Sequence, residues 1–455
     1  MQEIFAARAL TKEGWKQDVA LGIDGGRIAF LRGAQTPSSK AYRVDTLLPA
    51  MANLHSHSFQ RAMAGMTEVR ASGPDSFWTW RRLMYQFIDH LTPDQMEAIA
   101  ALTFMEMQEA GYAAVGEFHY VHNQSGGAQY DVQNELSERI FAAARQTGIG
   151  LTHLPVLYRY GGANTQPLSG GQHRFANSLD SFASLVAKAR DSAQEHMPDD
   201  TVVGIAPHSL RAIAPSDLAQ LVPLAGDAPI HIHIAEQPNE VSEIQAWLGA
   251  RPVEWLLDNA PVDAQWCLVH ATHMTPGETS ALAKSGAVAG LCPITEANLG
   301  DGPFDAPTFL REGGAFGIGS DSNVRISLSE EMRTLEYSQR LRDLSRNISI
   351  AGEGSVGAYI FTHAAIGGAR ALGRKAGTLA TGYLADIMAI DSTVPALCAL
   401  SEDQLLDGLV FATDDRVVTD SWSAGRHCVA GGRHIARDDI IARYASAMRA
   451  LLSSL

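Results

Sequence analysis

The first 46 residues read as short strands with turns, their apolar positions alternating most clearly beyond Asp18. In DVALGIDGGRIAFL the alternation breaks at Gly25-Gly26 and then resumes, as in two strands joined by a tight turn. Late in the chain the texture returns, in GTLATGYLADIMAID (Gly377 to Asp391) and VVTDSWSAGRHCVAGGRHI. Two β-rich ends of like character predict one small β-sandwich built from residues 1–46 and 375–440, followed by a C-terminal helix over 441–455.

Between them, residues 47–374 alternate short apolar runs with helical periodicity. Thr92-Pro93-Asp94-Gln95 has the form of an N-cap with proline at the first helical position. It opens a segment with Met96, Ile99, Leu102 and Met105 on one face, stopped by Gly111. AAVGEF, GIGLTHLPVLY, VVGIAPHS, APIHIHIAE, WCLVHATH, GAVAGLCP and AFGIGSDS are compact strand candidates separated by helix-like stretches. Such alternation predicts an α/β fold with a parallel sheet, and the length suits a (β/α)8 TIM-type barrel.

Composition narrows the function. A formal net charge of −15 with no offsetting basic block argues against nucleic-acid binding. No apolar run is long enough to span a bilayer, so no membrane partner is expected. MQEIFAARAL lacks a secretory pattern, and Cys267, Cys292, Cys398 and Cys428 show no CxxC spacing, which predicts a reducing, cytoplasmic setting. The expected partner is a small-molecule substrate.

Candidate chemistry gathers at strand ends. In NLHSHSF, His55 and His57 are two apart, so strand period turns both imidazoles to one face. In HIHIAE, His231 and His233 share the face opposite Ile230, Ile232 and Ile234, with Glu236 three residues beyond His233. His270 ends the apolar run in WCLVHATH, and Asp321 follows the glycine-rich run in AFGIGSDS. A lone histidine at a strand end is more often a hydrogen-bonded rim residue. HxH, HxxE, a single His and a final Asp in that order form a far more specific set, and a barrel would bring their ends to one mouth.

This order, with LATGYLADIMAID, resembles the amidohydrolase superfamily, in its branch of aminohydrolases and deaminases with one metal. The resemblance implies that His55, His57, His233 and Asp321 hold one divalent metal, beside the catalytic groups His270 and Glu236. Two-metal members carry a bridging lysine on the fourth strand; GIGLTHLPVLY, the candidate for that strand, has none. Zinc fits the N/O ligand set, and iron and manganese bind similar sites. Such a metal brings the pKa of bound water towards neutrality. Asp321 would accept the water's proton, His270 would orient the water and stabilise charge, and Glu236 would carry a proton to the leaving nitrogen.

Arginines near strand ends stand out in an acidic chain: Arg81 and Arg82 in FWTWRRLMY, Arg211 in PHSLRA and Arg325 in SDSNVRIS. Guanidinium forks bind carboxylates, and a substrate with two carboxylates calls for two of them. HSHSFQRAMAGMTE, DSFWTWRRLMY, VGEFHYVHN and APHSLRA together resemble the formimidoylglutamate deiminases of histidine degradation. That resemblance implies hydrolysis of N-formimidoyl-L-glutamate to N-formyl-L-glutamate and ammonia, by a homodimer, with Gln60, Arg81, Tyr120, His208 and Arg211 contacting substrate. Two departures are visible: Arg82 stands where an acidic residue is expected, and Ala50 replaces the usual glycine before the HxH strand. Phe77, Trp78 and Trp80 are expected to pack the loop that presents Arg81. Competing readings are deamination of a heteroaromatic base such as guanine, turnover of another formimidoyl amino acid, and a non-catalytic relative that keeps the fold.

Overall fold

The computed structural model describes residues 1–69 and 77–455. Eight parallel strand positions form a barrel: Met51–Ser56, Tyr112–His119, Gly150–Leu157, a short interrupted fourth (Val202–Val203 and Ala206–Pro207), Ile230–Ile234, Trp266–His270, Val288–Leu291 and Ala315–Ile318. The eighth pairs with the first through Ile318 and Asn53. The fourth meets the fifth through Ile205 and Ile230, with Ile205 N–H donating to Pro229 and His231 N–H to Ile205. Every residue of the first three strands is buried, as expected where helices cover the outside and side chains fill the inside.

The barrel floor is stoppered by the end of the helix Val356–Ala371. Ala371 and Leu372 pack with Leu54, Ala114, Cys267 and Val269 inside the barrel. Thr152 Oγ1 donates to the Leu372 carbonyl at 2.8 Å, and His231 Nε2 lies 2.7 Å from that of Ala371. His231 thus shares the inward face with His233 but belongs to the floor.

The terminal segments form one hydrogen-bonded path of eight strands, in the order Arg433–His434, Arg426–Ala430, Val418–Ser423, Ile387–Ile390, Tyr42–Pro49, Gln2–Thr11, Gly14–Asp24 and Arg27–Arg32. The last two are the hairpin about Gly25-Gly26, both glycines having positive φ. The path curls round its own core of Ile4, Val19, Leu21, Leu47, Ile387 and Trp422. A buried ionic clamp ties it to the barrel: Arg374 contacts Asp386 and Asp200, and Arg426 holds Asp200 at 2.7 and 2.9 Å. The helix Pro93–Glu109 carries the predicted N-cap at Thr92, which Gln95 completes as a capping box, and buries Met96, Ile99, Leu102 and Met105. The final helix, Arg437–Leu452, reaches it through an Arg443–Glu97 pair at 2.7 Å.

One strand assignment is corrected. GIGLTHLPVLY is the third barrel strand, not the fourth. Tyr42–Pro49 runs almost directly into Met51–Ser56, but it belongs to the terminal sheet and does not count. The true fourth strand also lacks lysine and leads to His208.

Candidate active site

The first and eighth strands are stapled where they deliver their ligands. His57 N–H donates to Asp321 O, and Asp321 N–H to His55 O, each at 2.9 Å. Gly319 makes this approach possible, since a Cβ there would lie 2.7 Å from the His55 carbonyl oxygen. Asn323 donates to Ser56 Oγ and to the carbonyls of His57 and Asp321, fixing the turn. Asp321 and His270 both hold positive φ, 45° and 68°, and such strain in non-glycine residues concentrates at functional sites.

Four donor atoms converge in this buried mouth. His55 Nε2 lies 3.0 Å from His233 Nε2 and 3.4 Å from Asp321 Oδ1, and His57 Nε2 lies 3.3 Å from the same oxygen. The ligand atoms of His55, His57, His233 and Asp321 all lie within 4.8 Å of one another. Burial drives the histidines towards the neutral form, His55 to about 3. His57 Nδ1 is committed to the Phe118 carbonyl at 3.0 Å, which leaves its Nε2 lone pair facing the cluster. Burial works against the Asp321 anion, but the surrounding histidines more than offset it and lower its pKa. Three neutral imidazole lone pairs and one carboxylate suit a divalent ion such as zinc.

His270 and Glu236 sit beside this cluster. His270 Nε2 is 3.8 Å from Glu236 Oε1 and 3.9 Å from Asp321 Oδ2. Burial opposes the charge on His270, but Glu236, Glu296 and Asp321 raise its pKa to about 10. The Glu236 carboxyl is raised, first by burial and against the pull of His270 and Arg211. Glu296 went unnoticed in the sequence: its Oε1 accepts from Cys292 N–H at 2.9 Å and lies 3.3 Å from His270 Nδ1, so it orients the imidazole.

A cleft of about 540 Å³ opens over the cluster. Gln60, Arg81, Tyr120, His208 and Arg211 all line it, together with Glu236, His270 and Asp321. Gln60 rides on the short helix Ser58–Met63, whose start is held by Glu117 through Ser58 N–H and Oγ at 2.9 and 2.6 Å. Burial raises Glu117 to about 7. Gln60 Nε2 donates to Tyr120 at 2.7 Å, while its Oε1 is buried without a partner among the described residues. His208 is held neutral by burial and by the cations of Arg211 and Arg81.

Arg81 Nη2 donates to the Tyr158 hydroxyl at 2.7 Å, and its guanidinium lies 5.3 Å from the Tyr85 ring centre. Trp80, expected to pack the loop, also lines the cleft, as do Met84, Tyr85, Tyr158 and Phe175. The side chains of Phe77, Trp78 and Arg82 lie outside the described residues. Arg325 is not at the site; it pairs with Glu330 on an exposed flank.

The sequence pattern of the Amidohydrolase family matches residues 46–428, and that of the formimidoylglutamate deiminase HutF N-terminal domain matches residues 1–40. A formimidoylglutamate deiminase from Pseudomonas aeruginosa is 48% identical, over 95% of this chain and 96% of its own. A 5-methylthioadenosine/S-adenosylhomocysteine deaminase from Natronomonas pharaonis is 27% identical over 86% of this chain and 81% of its own. Among solved structures, an amidohydrolase from Brucella melitensis superposes with a TM-score of 0.95 at 45% identity, covering 99% of this chain and all of its own. A zinc-bound adenosine deaminase from Xanthomonas campestris shares the fold, with a TM-score of 0.83 at 21% identity over 99% and 98% of the two chains.

Proposed function

The chain belongs to the amidohydrolase family, and we propose that it hydrolyses N-formimidoyl-L-glutamate to N-formyl-L-glutamate and ammonia, a step of histidine degradation. The observation that carries this reading is one cleft holding both the four-donor cluster and two guanidinium groups, Arg81 and Arg211, in a protein of net charge −15. Two arginines gathered against the overall field suit a substrate with two carboxylates. The deiminase from Pseudomonas aeruginosa supports the same substrate.

His55, His57, His233 and Asp321 would hold a single divalent ion, zinc by its donor set. When bound, such an ion supplies Lewis acidity and brings the pKa of water towards neutrality. The protein's own groups do the rest. Asp321, kept anionic by its histidines, accepts a proton from the attacking water. His270, cationic beside the carboxylates of Glu296 and Asp321, orients that water and offsets negative charge as the formimidoyl carbon becomes tetrahedral. Glu236, whose buried carboxyl holds its proton more tightly than usual, passes one to the departing nitrogen, which leaves as ammonia. Gln60 Oε1 offers the amidine N–H an acceptor. We assign the enzyme to the cytoplasm from its sparse cysteines, and to a homodimer from family resemblance.

The test is ammonia release from N-formimidoyl-L-glutamate, its aspartate homologue and guanine. Turnover of the first is expected. Guanine turnover without it would sink the assignment while leaving the cluster's chemistry intact.

A further inference from the structure

Two carboxyls on one short turn address the two catalytic groups separately. The helix Pro293–Leu299 ends at Gly300, whose φ of 72° is the left-handed turn that glycine permits. The N–H groups of Gly300 and of Asp301, the latter at 2.9 Å, both donate to the Glu296 carbonyl. Glu296 and Asp301 are therefore held at a fixed offset. The Glu296 side chain takes His270, with Oε1 3.3 Å from Nδ1. The Asp301 side chain takes the loop of the other group: its Oδ1 accepts a hydrogen bond from Nε2 of Gln237, the residue after Glu236.

That loop has to be held. Ala235 lies at φ 50°, a region that a non-glycine residue enters at a cost. Glu240 accepts the N–H groups of Ala235 and Glu236 at 3.1 and 3.0 Å, and His273 N–H donates to the Ala235 carbonyl at 2.9 Å. Beyond Glu236, the tie across to the His270 side among the described residues is the bond from Gln237 to Asp301. Asp301 is buried, and its Oδ2 meets no partner among the described residues. Burial first, and the neighbouring Glu236 next, raise its carboxyl far above the ordinary carboxylate range. It holds Gln237 as an uncharged acid and adds no negative charge beside Glu236.

We infer that Asp301 is a positioning residue for the reaction: acting through Gln237, it sets Glu236 against His270, whose Nε2 stands 3.8 Å from Glu236 Oε1. This rests on Glu236 being the proton carrier of the proposed function. One turn of chain thereby fixes both members of the pair, Glu296 by orienting the imidazole and Asp301 by placing the carboxyl.

The test is steady-state kinetics on the intact, metal-loaded protein, with whichever of N-formimidoyl-L-glutamate, its aspartate homologue and guanine the wild type turns over. Asp301→Ala is expected to lower kcat about ten- to a hundredfold with KM little changed, the loss that a misplacement of about 1 Å brings. Asp301→Asn keeps a carbonyl oxygen for Gln237 and adds no charge, so it should restore kcat. Gln237→Leu should reproduce the loss, and the double variant Asp301→Ala/Gln237→Leu should lose no more than either alone. In a Glu236→Gln background, Asp301→Ala should cost nothing further, whereas a merely structural residue would still lower the residual rate. Unchanged kcat in Asp301→Ala, failure of Asp301→Asn to restore it, additive losses with Gln237→Leu, or a further loss in the Glu236→Gln background would each overturn the inference. Should Asp301→Ala fail to fold, Gln237→Leu alone and in the Glu236→Gln background decides in the same way. A wild type that turns over guanine alone overturns the proposed function and leaves these comparisons in force; one inactive on all three compounds overturns both.

Discussion

Arg374→Met tests whether the terminal sheet and the barrel are held together by the buried clamp. Met keeps the aliphatic stem and removes the charge. Arg374 makes three contacts to Asp386, between 2.9 and 3.1 Å, and two to Asp200, at 2.7 and 3.1 Å. The loss is unequal. Asp200 keeps Arg426, whereas among the described residues Asp386 keeps only the Ala424 N–H at 2.7 Å and becomes a buried carboxylate without a cation. Removing one partner of a buried pair costs about 3–5 kcal/mol, and the surviving N–H favours the lower end. At about 2.1 cal/mol/K per residue, unfolding this chain carries an entropy near 1 kcal/mol/K, so Tm should fall by about 3 °C. Scanning calorimetry at fixed rate reads this directly. Arg374→Met/Asp386→Leu should recover most of the loss, because replacing both partners removes the orphaned charge. A single variant as stable as wild type, or a double variant no better than the single, refutes the argument.

Three further outcomes follow from the site and its supports. Glu236→Gln should lower kcat for ammonia release about 10²- to 10⁴-fold with KM little changed, as expected for a proton carrier; a dominant change in KM would make it a binding residue. Exhaustive chelation should abolish activity and zinc should restore it, while His57→Ala protein should retain less metal by elemental analysis; full metal content in that variant would remove His57 from the ligand set. Burial alone would raise the Asp200 carboxyl, but Arg426 and Arg374 lower its pKa below the ordinary 3.8. A depressed folded-state pKa contributes stability above that ordinary value and loses it as pH falls below. Arg426→Gln should therefore flatten the fall in stability below about pH 3.8, read by urea titration; an unchanged acid slope would refute it.

Much of the site was legible because strand geometry is periodic. Two imidazoles two residues apart share a face whatever else surrounds them, so His55 and His57 could be paired from the sequence. His233 and Asp321 needed only the assumption that strand ends meet at one mouth. Counting failed where strands are irregular: the fourth is two short pieces separated by Gly204 and Ile205, and Tyr42–Pro49 abuts the first without belonging to it. Glu296 was invisible for another reason. It lies on the short helix Pro293–Leu299 and reaches His270 across 26 positions, a meeting set by how that helix packs.

The stoppered barrel floor has a consequence for traffic. With Ala371 and Leu372 sealing the far end, the reaction chamber is a cul-de-sac. The substrate enters, and both the acylated amino acid and ammonia depart, through one doorway. The larger product keeps both carboxylates of the substrate, so under the proposed function it competes with incoming substrate for the same cleft.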